Sequence, residues 1–527
     1  MSPVFSHLVP RILKVSGPRL IACGLLAGVV GACSATLDFT ECLDNSDCAK
    51  FFEDKKPMFC DGNVCKVREG GCASNSQCAG LGEDHICTNA AQTRVCESTK
   101  TELCGAPIYP GGEPADDVVL VGLMVPKTGA DQALGAEMEK AALAAVEEFN
   151  ASGALQGGDR IAVVVCDTQS DPNAARTAGL HLGVTLKIPV FVGPIDDLEF
   201  ARVVDDVTFA PGVNAFTMGP AITAKLDALD PGDLVFSTLT GARYQGAALG
   251  ARIGADFAGD PSANLLLVFS FDAYGESLYE TTATMATGEG KPNRIPDLPG
   301  PQGVKSYVSV DEATGFLDDN VGGSWGVPNA LVLFGRSEVG EILQRYKDAG
   351  YAWPQKIYVS QRAMASVAAL GDASLAGVVV AIAPDLETEK LAALRTRIGD
   401  ATMPAEAALA YDATMSSLLA MAVVKAGDPV VGPPVAKAIG RLADKAGAAI
   451  DFAAAPAQFV PAAIDAFKAG GGVDVAGITG PLDFDAGGEV CGPLAAFTLD
   501  ATGGAWVKIA TYNPACPDAV GTWAEQP

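Results

Sequence analysis

Histidine and basic charge are scarce in this chain. Only three histidines occur among 527 residues, and 36 lysines and arginines face 63 aspartates and glutamates, giving a formal net charge of −27. Such a surface repels nucleic acid and anionic lipid headgroups, so binding to nucleic acid is excluded as an expectation. The usual catalytic signatures are missing too: there is no HExxH, no P-loop and no EF-hand loop. One G-x-S-x-G match, "GGSWG" at 322–326, fails on context, because a nucleophile elbow needs a strand before it and a helix after it, whereas Pro328 and the strand-like "ALVLF" follow. Beyond the N-terminal segment only His85, in a cysteine-rich region, and His181, in a helical stretch, remain. The chain therefore reads as non-enzymatic, with no catalytic residue, no cofactor and no metal.

Long apolar runs are equally rare. The longest near the start, Leu20 to Ala32, follows Arg11, Lys14 and Arg19 with no acid among the first 32 residues. At 1.5 Å per residue it reaches about 20 Å, short of the roughly 30 Å of a bilayer core. A basic head, a short apolar middle and small residues at the end form a secretory signal, assigned to residues 1–32. Its removal takes the net charge from −27 to −30. The end of this run, Val30-Gly31-Ala32-Cys33, resembles the lipobox of bacterial lipoproteins, which implies Cys33 as the lipidated first mature residue and a membrane tie through lipid. Several acyl chains anchor stably where a single one holds only marginally. Ser34 resembles the outer-membrane default of enteric lipoproteins, so an exported protein anchored at the outer membrane is expected.

What the chain does have is a crowd of cysteines, at 42, 48, 60, 65, 72, 78, 87, 96 and 104. "ECLDNSDCAKFFEDKKPMFCDGNVC" and "GCASNSQCAGLGEDHICTNAAQTRVC" each open with C-x5-C, carry Asn-Ser before the second cysteine and close with two more. This is an internal repeat. Apolar residues are sparse in it, so two disulfides per unit, at about 2–4 kcal/mol each, substitute for a core. Zinc would favour closer cysteine pairs, and only Cys60 and Cys65 approach that spacing. Four cysteines allow three pairings, and spacing does not choose among them. Cys491 and Cys516 flank two apparent strands, Ala495–Leu499 and Trp506–Thr511, so a bridge closing that hairpin is expected, leaving Cys104 to Cys166 by elimination.

After the Pro/Gly-rich stretch 105–115, read as a linker, the texture changes. Buried-strand runs such as "VVLVGLMV", "IAVVVC", "NLLLVF" and "GVVVAIA" alternate with Ala-rich helical stretches at Gly135–Asn150, Ala174–Leu186 and Glu338–Gly350. Continuous apolar strands separated by helices mean parallel sheets covered on both faces, an α/β architecture. With 49% hydrophobic residues there is material for two or three cores.

"VGLMVPKTGADQALGAEMEKAALAAVEEFNASGAL", "DTQSDPNAARTA", "FVGPIDD", "VFSTLTGARYQGAAL", "FDAYGESL", "AYDAT" and "ITGPLDFDAGGEV" stand in the order and approximate spacing of the type I periplasmic binding proteins. The resemblance runs from about Asp116 to about Thr511 and is nearest the substrate-binding proteins of branched-chain amino-acid ABC transporters. It implies two doubly wound parallel-sheet lobes joined by three crossovers, with a small polar or zwitterionic ligand held between them and an ABC permease as partner. The expected organisation is a signal at 1–32, cysteine repeats at 33–104, a linker at 105–115 and a bilobed domain at 116–527. Lobe one would take about 116–238 and 386–478, and lobe two about 239–385 and 479–527.

The site residues depart from the family. The loop after "VGP", where the family places small hydroxyl donors for a ligand carboxylate, reads Ile195-Asp196-Asp197. Ionised carboxylates cannot donate and would repel an α-carboxylate. The following hydroxyl-rich loop keeps Thr217 and Thr223. In lobe two, Gln361 and Arg362 stand where an acidic residue follows "KIYVS", Arg336 stands where an aromatic is common, and Tyr274 matches a position that packs on ligand. The implied site is Asp196, Asp197, Thr217, Tyr274, Arg336 and Arg362, with acids on lobe one and arginines on lobe two. The competing expectation for Asp196 and Asp197 is helix capping, and Asp171 with Pro172 reads as a helix start. The second functional reading is surface display, with the cysteine modules binding a protein or glycan.

Overall fold

The computed structural model describes residues 41–525, except 44, 49, 54, 62, 69–70, 89–93, 113, 117, 153–154, 156–158, 227–228, 231–232, 259, 261, 287–292, 295–303, 324–325, 425–429 and 517–519. The signal, Cys33 and Ser324 of "GGSWG" lie outside the described residues. Among the described residues no helix is long and apolar enough to cross a membrane.

Two α/β sheets organise the large domain. The first holds five parallel strands, β1 (Val118–Val125), β2 (Arg160–Asp167), β3 (Val190–Val192), β4 (Phe216–Gly219) and β5 (Val235–Ser237), in the order β5-β4-β3-β1-β2. The second holds β6 (Asn264–Ser270), β7 (Asn293–Arg294), β8 (Val304–Tyr307), β9 (Ala330–Phe334), β10 (Lys356–Ser360) and β11 (Val379–Pro384), all parallel. A two-stranded parallel pair, β12 (Ala448–Asp451) and β13 (Val473–Ala476), stands apart. Three antiparallel strands, β14 (Leu494–Leu499), β15 (Trp506–Ala515) and β16 (Val520–Glu525), then extend the second sheet past β11. Central strands such as β9 are buried along their whole length, which is why they read as unbroken apolar runs. The expected C-terminal hairpin is present, but β15 continues to Ala515 to pair with β16, a strand whose "VGTWAE" lacks the apolar density that marks the others.

The chain passes between the sheets three times. Residues 389–468 return to the first lobe, where Leu391, Leu394, Leu418 and Phe467 share one core with Val121, Val163 and Phe216. Four helices frame the site: α1 (Gln132–Ala151), α2 (Asp197–Val203), α3 (Ala273–Ala286) and α4 (Ala407–Val423). At the third crossover, Asp412 of α4 is fully buried and accepts from the Ile478 N–H at 2.8 Å, the Thr479 N–H at 2.8 Å and the Thr479 hydroxyl at 2.7 Å. Burial pushes its carboxyl up to about 6.

In each cysteine repeat the first cysteine bonds the third and the second bonds the fourth: Cys42–Cys60 and Cys48–Cys65, then Cys72–Cys87 and Cys78–Cys96. The four cysteines of the second repeat themselves make up its buried apolar cluster. Cys104–Cys166 and Cys491–Cys516 complete the set. The segment read as a linker is partly bound to the sheet: Gly105 N–H donates to Val165 O at 3.0 Å, and Ile108 and Val163 exchange bonds of 2.8 and 2.9 Å, so it runs antiparallel along β2. The second repeat docks beside it through the Ser76 N–H and hydroxyl, which donate to Asp116 at 2.6 and 2.9 Å.

Candidate ligand cleft between the lobes

The carboxyl ends of both sets of strands face a common cavity of about 480 Å³. In open α/β sheets this is where loops and helix starts converge on a ligand. Ala130 and Asp131 follow β1, Ser170 follows β2, Ile195 and Asp196 follow β3, and Ala221 follows β4. Arg336 and Ser337 follow β9, and Gln361 and Arg362 follow β10. A larger hollow, about 810 Å³, lies beside α1 next to Arg397 and away from these strand ends.

Four of the six expected residues meet where the lobes join, Asp196, Arg336 and Arg362 on the cavity wall and Asp197 buried behind it. Asp196 caps α2, accepting from the Leu198 N–H at 2.8 Å, so the capping expectation is met by one carboxylate oxygen. Its other oxygen lies 3.4 Å from Arg336 Nε and 3.4 Å from Arg362 Nη1 of the opposite lobe. Asp197 is completely buried; one oxygen accepts from the Thr223 and Ala224 N–H groups at 2.8 and 2.7 Å, and the other lies 3.1 Å from Arg362 Nη2. The same Nη2 donates to the Ile195 and Ala221 carbonyls at 3.1 and 3.0 Å. Arg362 thus grips lobe one through two carboxylates and two carbonyls.

Arg336 Nη1 pairs with Asp272, at the end of β6, at 2.6 Å. Tyr274 is fully buried behind both arginines rather than on the cavity wall: their guanidiniums lie 5.0 and 5.8 Å from its ring centroid, within cation–π range. Thr217 is not brought to the cavity. It is buried on β4, where its hydroxyl pairs with that of Thr208 at 3.0 Å, because the outward-inward alternation of the strand turns it into the lobe. Asp171 and Pro172 start a helix as expected, with Asp171 accepting from Asn173 and Ala174 N–H groups.

Burial works to raise the Asp196 carboxyl, but the Arg362 and Arg336 charges outweigh it and hold it below the usual carboxylate range. Asp197 goes the other way: its complete burial, with the neighbouring Asp196 charge, lifts it above that range despite Arg362. Three groups escaped the sequence reading. Asp272 supplies a third carboxylate to the two arginines, and Asp131 lines the cavity from the start of α1. Glu199 lines it too, is only 2% exposed, and has one carboxylate oxygen without a hydrogen-bond partner. The D-x-x-E spacing from Asp196 reads as a capping box, which conceals Glu199 as a cavity residue.

A periplasmic binding protein family model matches residues 118–446. The chain belongs to the type I periplasmic binding proteins. Members of this family are exported solute-binding proteins and not enzymes. Among solved structures, a possible leucine/isoleucine/valine-binding protein from Rhodopirellula baltica superposes with a TM-score of 0.55 at 16% identity, covering 76% of this chain and 98% of that one. A leucine-binding protein, LivK, from Thermotoga maritima gives 0.52 at 16%, covering 75% and 99%. An ABC-transporter solute-binding protein from Rhodopseudomonas palustris, in complex with 3,4-dihydroxybenzoic acid, gives 0.51 at 15%, covering 75% and 98%. A search of curated proteins finds no significant sequence match. Likeness at this level of identity establishes the fold.

Proposed function

We propose that this periplasmic binding protein is a lipid-anchored receptor that captures a small polar solute between its lobes and hands it to an ABC permease of the branched-chain amino-acid type. The lobes would be residues 116–238 with 386–478, and 239–385 with 479–527. Cys33 would carry the lipid at the outer membrane, and the cysteine repeats would stand between anchor and receptor. The observation that carries the reading is the cavity itself, walled by strand ends of both sheets and bordered by Asp196 on one side, with Asp197 buried behind it, and by Arg336 and Arg362 on the other. The ligand's cationic end would face the aspartates and its anionic or hydrogen-bond-accepting end the arginines. Without ligand these groups pair with one another; a bound solute exchanges interlobe pairs for contacts of its own, so closure and capture use the same charges.

The experiment is mass spectrometry of solute co-purified with the protein, followed by calorimetry of Asp196→Ala, Asp197→Ala, Arg336→Ala and Arg362→Ala with that solute. Removing a buried, hydrogen-bonded charge from the site should cost about 2–5 kcal/mol, against under about 1 kcal/mol for an exposed pair. All four variants binding within threefold of the parent would refute the site. Cys33→Ser should release the mature protein from membranes or leave unprocessed precursor, and an unmodified Cys33 thiol in the parent would refute the anchor.

A further inference from the structure

We propose that Glu199 anchors the cationic head of the solute, and that the cavity takes a small organic cation, an ammonium or guanidinium carrying no carboxylate. This deepens the solute-binding reading and rests on it. The first argument is charge balance. Arg336 and Arg362, the two cations in the wall, are already matched by three carboxylates, Asp196, Asp197 and Asp272. A ligand carboxylate would add to carboxylates that already outnumber these two cations, while Arg336 Nη2, buried without a hydrogen bond, is left to a neutral acceptor of the ligand; Asp131, Glu199 and Glu406 also line the cavity, and among the described residues none of the three forms an ion pair. Even while Glu199 holds its proton, Asp131 and Glu406 leave the cavity with an excess of negative charge, which a solute of net positive charge offsets.

The second argument is Glu199 itself. A carboxyl at 2% exposure that lines a cavity, with one oxygen unbonded, is costly to ionise and is satisfied by a donor entering the cavity. The groups around it are Thr168 from the end of β2, Asp196 on its own helix, Asp131 from the start of α1, and Arg362 from the opposite lobe. The Thr168 hydroxyl, itself without a hydrogen bond of good geometry, is a neutral donor close enough to favour the carboxylate, so an entering cation competes with it for Glu199. Burial, with Asp196 and Asp131 adding to it against Thr168 and Arg362, pushes the Glu199 carboxyl up to about 8. Near neutral pH it is protonated in the empty cavity. A bound ammonium or guanidinium would draw the carboxylate form, and the displaced proton would pass to solvent. Ammonium heads keep their charge throughout this range, with a usual pKa of about 10.4. Affinity should therefore rise with pH until about 8 is passed.

The test uses the full mature chain, stripped of solute by dialysis in mild denaturant, and matched probes: isoamylamine against leucine, and agmatine against arginine. Calorimetry at pH 6, 7 and 8 should show an amine binding at least tenfold tighter than its amino acid. Its affinity should climb about tenfold from pH 6 to 7 and about fiftyfold from pH 6 to 8. Glu199→Gln should lose tenfold or more at pH 8 and flatten that slope. Asp131→Asn, at an exposed position, should weaken binding a few-fold with the slope retained. Leucine or arginine binding while the amines do not would overturn the inference and leave the solute-binding reading standing. Amine binding unchanged in affinity and slope in Glu199→Gln would also overturn it. If the folded protein takes up none of the probes and carries no co-purified solute, the inference and the reading fall together.

Discussion

Arg362→Ala tests the central claim that lobe closure in this periplasmic binding protein is held by charges reaching across the cleft. The side chain stands on lobe two, 22% exposed, and holds lobe one through Asp196 at 3.4 Å, Asp197 at 3.1 Å, and the Ile195 and Ala221 carbonyls at 3.1 and 3.0 Å. Its removal orphans Asp197, which keeps only the Thr223 and Ala224 N–H donors to one of its oxygens. Charge-assisted hydrogen bonds contribute about 1.5–3 kcal/mol each, and losing one member of a buried pair costs about 3–5 kcal/mol. Partial exposure of the guanidinium and the remaining Arg336–Asp196 contact reduce this to about 2–4 kcal/mol against the closed arrangement. At 1.4 kcal/mol per factor of ten, the closed-to-open ratio of the ligand-free protein should fall roughly thirtyfold to a thousandfold. Small-angle scattering of the ligand-free protein should then show a larger radius of gyration. Adding Asp197→Asn to Arg362→Ala should recover part of the loss, because the orphaned charge is gone. A scattering curve identical to the parent, together with no effect of the second substitution, would refute the reasoning.

Asp412→Ala leaves the Ile478 and Thr479 donors unpaired in a fully buried site, and urea unfolding should show a loss of about 3 kcal/mol. Reduction should open residues 42–96 to protease while the two-sheet core survives, since four loops closed by disulfides, at about 3 kcal/mol each, stand where a hydrophobic core is lacking. A digest in which the repeats stay resistant after reduction would count against this. Glu199 is raised in the folded protein, to about 8 from about 4.5, so the native state holds the extra proton and stability falls as pH rises through that window. Glu199→Gln should match the parent near pH 4 and exceed it by about 2–4 kcal/mol above pH 8 in thermal or urea unfolding. A constant difference across the range would show that Glu199 is not buried as described.

The two-sheet architecture was legible because parallel strands covered on both faces must be apolar along their buried length, as β1, β9 and the Leu265–Phe269 stretch of β6 are. The cysteine repeats were legible as units but not in their pairing, since C-x5-C with two later cysteines allows three connectivities and only the folded backbone selects one. The stretch 105–115 misled for a simple reason. Its prolines and glycines mark irregular backbone, yet an edge segment needs only a few backbone groups at the right register to lie along β2, as Gly105 and Ile108 do. β16 was missed because an outer strand, paired on one side by β15, need not be apolar.

The site was half legible, and the boundary falls where chemistry gives way to partners. The acids after β3 and the arginines after β9 and β10 stand out in sequence because each puts a charge where the family has a hydroxyl, an aromatic or the opposite charge at a strand end. Nothing in one dimension shows that these charges meet each other. Asp196 lies 140 residues from Arg336 and 166 from Arg362, and the crossovers alone bring them within 3.4 Å. That meeting changes the chemical question. Opposite charges placed separately would demand a ligand with two charged ends, whereas charges already paired across a cleft leave the demand to the group without a partner. Glu199 is the buried carboxyl of the cavity left without an ion pair among the described residues, hidden by a capping-box spacing that its burial contradicts, and Arg336 Nη2 is left as a donor for a neutral acceptor. A buried carboxyl is tolerated when protonated and rewarded when a cation arrives, so the residue least visible in the sequence is the one whose energetics discriminate among ligands.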